Sequence, residues 1–178
     1  REKNMKKIMF LGRGNIAERC LEILLHGASG AYAVAAICSN SSTTALSKSN
    51  NIFKKAKRLG IPFIPNDKRN EDAILALIKS ESIDTLISVQ HIWILSDNIL
   101  KAVRYQALNL HNAKLPDYKG YYTINHAILN GDTKYTSTIH WMVKEVDQGA
   151  VAFEETISIN KSDTAISLYQ KSCNAGVK

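Results

Sequence analysis

Apolar and polar positions alternate along the chain in two distinct rhythms. Lys7 to Leu11 is a short apolar run closed by Gly12-Arg13-Gly14-Asn15, after which Ile16, Cys20, Leu21, Ile23, Leu24 and Leu25 recur at helical spacing. This predicts strand, tight turn and helix. The order repeats downstream: a strand at Tyr32 to Cys38, a polar turn-rich stretch at Ser41 to Asn50, then Ile52, Phe53, Ala56 and Leu59 on one face of a helix that stops at Gly60. Ile61 to Ile64 is a third short strand, Glu71 to Ser80 a helix, and Asp84 to Gln90, with Leu86, Ile87 and Val89, an apolar strand of the buried parallel type. Ser96 or Asp97 can cap a helix through Leu100 and Val103. Strands alternating with helices over short links predict an α/β fold with a Rossmann-like, doubly wound, mostly parallel sheet.

The second half is patterned less regularly. Gln106 to His111 reads as a buried strand end, Thr136 to Val143 as an alternating strand, and Ala150 to Ile159 as another. Between them a helix follows Tyr121 and Tyr122, with Ile124, Ala127, Ile128 and Leu129 as its buried side. Asp163 is placed to cap a last helix through Ile166, Leu168 and Tyr169, ending near Gly176.

With 178 residues, 45% hydrophobic and 22% charged, the chain is long enough for one globular domain with a real core. A net charge of +7 suits an anionic partner but equally a solvated surface. Cys20, Cys38 and Cys173 lack metal-ligand spacing, which favours free thiols in a reducing cytoplasm and no metal. No run reaches the ~20 apolar residues of a membrane span, so a cytoplasmic protein with no membrane partner is expected. Met5 reads as the natural start, with residues 1–4 foreign to it and residues 5–178 forming one catalytic domain whose chain continues beyond Lys178.

Chemistry concentrates at the strand end Leu108-Asn109-Leu110-His111. Strand alternation puts Asn109 and His111 on one face, where α/β folds carry substrate, and the irregular loop Leu115-Pro116-Asp117-Tyr118-Lys119-Gly120 follows at once. Asp147, in the turn before Gly149, can complete a set of amide, imidazole and carboxylate. Thr138 and His140 share a strand face and can orient it, with either a catalytic or a structural part open to them. The segment Gly12-x-Gly14-x-x-Ala17 meets a loose dinucleotide fingerprint, but the following strand ends in Ser39-Asn40 and offers no acid to a ribose. What remains is a packing turn or a phosphate contact through Gly12, Arg13 and Gly14. No serine sits in a nucleophile elbow and no cysteine lies near the histidine stretch, which argues against a covalent intermediate.

Asn109-x-His111 with Leu115-Pro116-x-x-x-Gly120 and Asp147-x-Gly149 resembles the folate-dependent formyltransferase family, and the likeness extends in weaker form from Lys6 to Ile159. One departure is Asn112-Ala113-Lys114-Leu115, where many members carry a serine-leucine-leucine run. The resemblance implies that Asn109, His111 and Asp147 are catalytic. It further implies that Ile92, Trp93, Leu95 and Leu100, with Val143 and Asp147, hold the co-substrate 10-formyltetrahydrofolate, while His91 is a strand-end or surface histidine. Gly12, Arg13, Gly14, Tyr121 and Tyr122 are the expected substrate contacts, although the two tyrosines equally suit ordinary rim positions.

Phe10 to Gly14 and Ile87 to Gln90 look most like the bacterial sugar N-formyltransferases, implying a nucleotide-linked amino sugar as acceptor and a part in lipopolysaccharide O-antigen synthesis. Glycinamide ribonucleotide formyltransferase is the alternative, on Tyr122 to Ala127 and Gln148 to Val151. Initiator-tRNA formyltransferase would need a further C-terminal domain to bind nucleic acid. A formyltetrahydrofolate hydrolase would share the donor site, and a nucleotide-binding module without catalysis would rest on the Gly12 loop alone. A homodimer is also admitted.

Overall fold

The computed structural model describes residues 5–27, 30–41, 51–66 and 68–178. The chain divides into two compact units, residues 1–108 and 109–178. Most of the turn-rich stretch after Ser41 lies outside the described residues.

The first unit holds β1 (Lys6–Gly12), α1 (Gly14–His26), β2 (Tyr32–Ser39), α2 (Asn51–Leu59), β3 (Phe63–Pro65), α3 (Glu71–Ser80), β4 (Thr85–Val89) and α4 (Asp97–Ala102). Its strands run parallel in the order β3-β2-β1-β4, as the alternation of elements predicted. β1 lies between two partners, and Met9, Phe10 and Leu11 are completely buried there. That is why its apolar run is continuous rather than alternating. Gly12 closes the strand where a Cβ would lie 2.7 Å from the Val89 carbonyl oxygen and 2.9 Å from the Ala17 Cβ, so a packing requirement alone selects glycine. α1 turns Ile16, Ala17 and Leu21 inward but leaves Ile23 exposed, because that position falls outside the buried stripe. β3 begins two residues later than Ile61, whose N–H is bound to the Ala56 carbonyl instead. Ser96 is the α4 cap, accepting from the Ile99 N–H.

β5 (Ala107–His111) starts in the first unit, where the Leu86 N–H donates to the Gln106 carbonyl, and ends in the second. The second unit continues with α5 (Thr123–Leu129), β6 (Lys134–Trp141), β7 (Val151–Ser158) and α6 (Ala165–Ala175). β6 and β7 pair antiparallel, with a register shift between Ile139 and His140. The core here is Ala113, Ala127, Tyr135 and Leu168, with Ile124 and Ile128 packed against it. Leu129, expected on the buried side of α5, is 82% exposed, since the helix ends there and the chain turns away through Asn130 and Gly131. α6 is capped by Thr164 in a capping box with Ser167, not by Asp163. Asp163 serves the turn before it, accepting from the Asn160 N–H at 2.7 Å and from Lys171 at 2.6 Å. The Lys171 hydrogen bond, with those from Asn160 and Ser167, holds its carboxyl down at about 2.

The departure at Asn112 to Leu115 is absorbed locally. Asn112 donates to Ser172 Oγ at 2.8 Å and accepts from Ser137 Oγ at 2.8 Å, and its carbonyl receives the Tyr135 hydroxyl. Ala113 is fully buried, and Lys114 pairs with Asp117 at 3.0 Å. Polar bonds thus hold the loop in place of apolar side chains. The Leu115-Pro116 peptide is cis.

Candidate active site

Asn109, His111 and Asp147 meet within the second unit. β5 delivers the first two from alternate positions on one face, and Asp147 comes from the turn between β6 and β7. Asp147 Oδ2 lies 3.7 Å from His111 Nδ1, and Oδ1 lies 3.5 Å from His140 Nε2. Both imidazoles and the carboxylate are largely shielded, with side-chain exposures of 11%, 3% and 10% for His111, His140 and Asp147. Each ring is fixed by a main-chain carbonyl. His111 Nε2 reaches the Tyr118 oxygen at 2.6 Å, and His140 Nδ1 the Trp141 oxygen at 3.0 Å.

A carbonyl only accepts, so both of those nitrogens carry hydrogen. That leaves Nδ1 as the His111 nitrogen that faces the Asp147 carboxylate. In His140, Nε2 faces both Asp147 and the Asn109 Nδ2, at 3.2 Å. With hydrogen already on Nδ1, Nε2 accepts an Asn109 N–H or, as an N–H itself, donates to Asp147, but not both at once; in either state the second Asn109 N–H is left for a substrate oxygen.

Burial pushes the Asp147 carboxyl up, but the His140 hydrogen bond, the His111 charge, the Gly120 N–H and the His140 charge outweigh it. The group sits below the ordinary carboxylate value. The Gly120 N–H donates to Oδ2 at 3.3 Å, which ties the Leu-Pro loop to the carboxylate. Asp147 itself has a left-handed backbone, φ 54°. The turn is compact because Gly149 lies against β6: a Cβ there would stand 1.6 Å from the Trp141 carbonyl oxygen. Gly149→Ala is therefore expected to cost about 3 kcal/mol or more of stability through overpacking, seen as a lower denaturation midpoint.

Sequence reasoning left His140 open. The structure puts it in contact with two of the three predicted residues, and a signal was available in its strand face. A register shift in the pairing with β7 falls beside it, between Ile139 and His140. Thr138 is different: its hydroxyl donates to the Ala113 carbonyl at 2.8 Å and is fully buried, a structural tie. Tyr118 and Gly120, whose main-chain groups complete the site, have no side-chain signature to find.

The other predicted residues are scattered. Tyr121 and Tyr122 are each 79% exposed, and Tyr122 has a left-handed backbone, φ 60°. Val143 lies two residues beyond the end of β6, partly exposed. In the first unit, Leu95 and Leu100 are buried, Ile92 is half-buried and Trp93 is 37% exposed, its indole N–H donating to the Asn66 carbonyl at 2.9 Å. His91 is not a surface histidine: both ring nitrogens are buried without a partner, and burial, reinforced by Arg13, pushes its pKa down to about 4. At the start of α1, the Arg13 N–H is bound to the Val89 carbonyl at 3.2 Å and Gly14 takes φ 75°. No side chain caps that helix. No group of three or more metal-binding side chains occurs among the described residues, and no described helix is long and apolar enough to cross a membrane.

Residues 6–178 match the family described as formyl transferase. The bifunctional polymyxin resistance protein ArnA of Wigglesworthia glossinidia brevipalpis is 34% identical over 129 residues, 72% of this chain and 20% of that protein. The chain therefore spans about a fifth of that relative's length. Among solved structures, phosphoribosylglycinamide formyltransferase from Anaplasma phagocytophilum aligns with a TM-score of 0.81 at 21% identity, covering 98% of this chain and 82% of that one. A formyltetrahydrofolate deformylase from Pseudomonas syringae pv. tomato aligns with a TM-score of 0.82 at 18% identity, covering 98% and 58%. At these identities the structural likeness speaks for the fold alone.

Proposed function

The chain belongs to the formyl transferase family, and we propose that it moves a formyl group from 10-formyltetrahydrofolate to the amino group of a nucleotide-linked amino-deoxysugar. The observation that carries the reading is the convergence of an amide, two imidazoles and a carboxylate from β5, β6 and the β6–β7 turn. Attack of an amine on a formyl carbon gathers negative charge on the formyl oxygen. In this reading the free N–H of Asn109 and the Nδ1–H of charged His111 stabilise that oxygen. Both are oriented before substrate arrives. Asp147 keeps His111 charged, and His140 positions Asn109.

Because the Asp147 carboxyl lies low, it is a weak base; holding charge suits it better than carrying protons. As the new C–N bond forms, the bond from the formyl carbon to the folate nitrogen breaks, and the proton given up by the amine passes through water beside the carboxylate to that leaving nitrogen. For the folate, the 91–95 loop offers apolar surface at Trp93 and Ile94, and Ile92, Leu95, Leu100 and Val143 are proposed with it. Gly12, Arg13 and Gly14 are proposed for the acceptor's phosphates at the uncapped start of α1, and Tyr121 and Tyr122 for its sugar or base.

The amino-sugar acceptor is favoured over glycinamide ribonucleotide by the 34% sequence identity to a polymyxin resistance protein, against 21% to the Anaplasma ribonucleotide enzyme. The test is an acceptor panel. Purified protein is incubated with 10-formyltetrahydrofolate and, in turn, nucleotide-linked amino sugars, glycinamide ribonucleotide, charged initiator tRNA or no amine. A formamide on one of the sugars is expected. A formylated ribonucleotide or tRNA would replace the acceptor, formate without amine would mean a hydrolase, and no turnover at all would leave a binding module.

A further inference from the structure

Among the described residues of the first unit, four buried side-chain atoms have no hydrogen-bond partner: the amide nitrogen and oxygen of Asn66 and both ring nitrogens of His91. An idle buried donor or acceptor costs about 1–3 kcal/mol. Four of them would consume much of the ~5–15 kcal/mol that holds a domain folded. Asn66 is fully buried, and its backbone is already engaged. Its N–H donates to the Ser39 carbonyl at 2.9 Å, and its carbonyl accepts the Trp93 indole N–H at 2.9 Å. Only the side chain is idle.

His91 and Trp93 line a cavity of about 10 Å³ together with Cys38, Asn70, Glu71 and Leu95. That is close to the least space that holds one water and too little for anything larger. A neutral imidazole presents one donor and one acceptor, and an amide presents both kinds. Water alone among small ligands matches each of them.

We infer that His91 holds an internal water in this cavity behind the 91–95 loop, and that His91 through that water and Asn66 through its carbonyl are positioning residues for Trp93. Trp93 is tied at one side to Asn66, and the loop is tied at its end by the Ser96 hydroxyl, which donates to Glu71. Water bound at the imidazole braces the stretch between these ties, so the ring is set before any ligand meets it. The water site stands on the buried ring nitrogens of His91. Its effect on folate binding rests on the function proposed above.

Two measurements test this. A high-resolution crystal structure of the unaltered protein is expected to show ordered water within hydrogen-bond distance of a His91 ring nitrogen; a dry surrounding there overturns the inference. In a Trp141→Phe background, where emission reports Trp93 alone, His91→Phe is expected to shift the emission to the red. It should raise KM for 10-formyltetrahydrofolate about five- to tenfold with kcat within about twofold. Unchanged emission, or a higher melting temperature as deletion of a truly idle group would give, contradicts it. If the variant does not fold, the water density still decides. If no acceptor turns over, emission and density are unaffected, so failure of the formyl-transfer reading is separable.

Discussion

Asn109→Ala and His111→Ala are each expected to lower kcat by about 10²- to 10³-fold, the loss that follows removal of one preorganised donor to a developing oxyanion. Both donors are fixed in advance, Asn109 by His140 at 3.2 Å and His111 by the Tyr118 carbonyl at 2.6 Å. Their contribution therefore belongs to the transition state, and KM should change little. The double variant should lose less than the product of the single losses, because the two act on one oxygen. Steady-state rates with the acceptor identified by the panel are the measurement. A near-normal kcat in either single variant would remove that residue from the chemistry. His140→Ala should fall between, because the Asn109 amide then loses the partner that orients it.

Asp147→Asn is expected to have the largest effect, about 10³- to 10⁴-fold in kcat, the scale seen when a buried carboxylate that holds a catalytic imidazole becomes an amide. The amide is nearly isosteric but carries no charge with which to hold His111. A signature in stability accompanies it. The native Asp147 carboxyl lies below its ordinary value of 3.8. A group depressed on folding contributes stability that is fully present above its unfolded value and is lost as the pH falls through the native one. The difference in denaturation midpoint between the native protein and Asp147→Asn should therefore be constant from neutral pH down to about 4 and shrink only below it. Asp163, also depressed by its Lys171 hydrogen bond, titrates in the same acid range. Comparing the two proteins at each pH cancels that contribution. A difference that shrank already between pH 7 and 5 would contradict the assignment.

Much of this was readable from the order of residues because the rules involved are local. α3 has the predicted bounds Glu71–Ser80, set by four apolar residues at helical spacing. β1 and β4 were marked by apolar runs that only strands buried on both faces tolerate. Asn109 and His111 could be placed together since strand alternation requires it. The misses are tertiary. Leu129 continues the apolar stripe of α5 in sequence, but the helix ends before anything packs on it. Asp163 and Thr164 are both good caps, and the choice fell to Thr164 because Lys171 and the Asn160 N–H engage the aspartate. His91 reads as a strand-end or surface residue; it does follow the end of β4, but its ring is buried, and nothing local shows what covers a loop. The role of His140 needed a distance, and the partners Tyr118 and Gly120 act through the backbone, which carries no residue-specific mark.

The most direct measurement is the crystal structure of the protein with a non-transferable folate analogue whose carbonyl stands where the formyl group would be. The carbonyl oxygen should lie within about 3 Å of Asn109 Nδ2 and on the Nδ1 side of His111, with Asp147 still beside the ring. An analogue seated with that oxygen turned away from both donors would contradict the account.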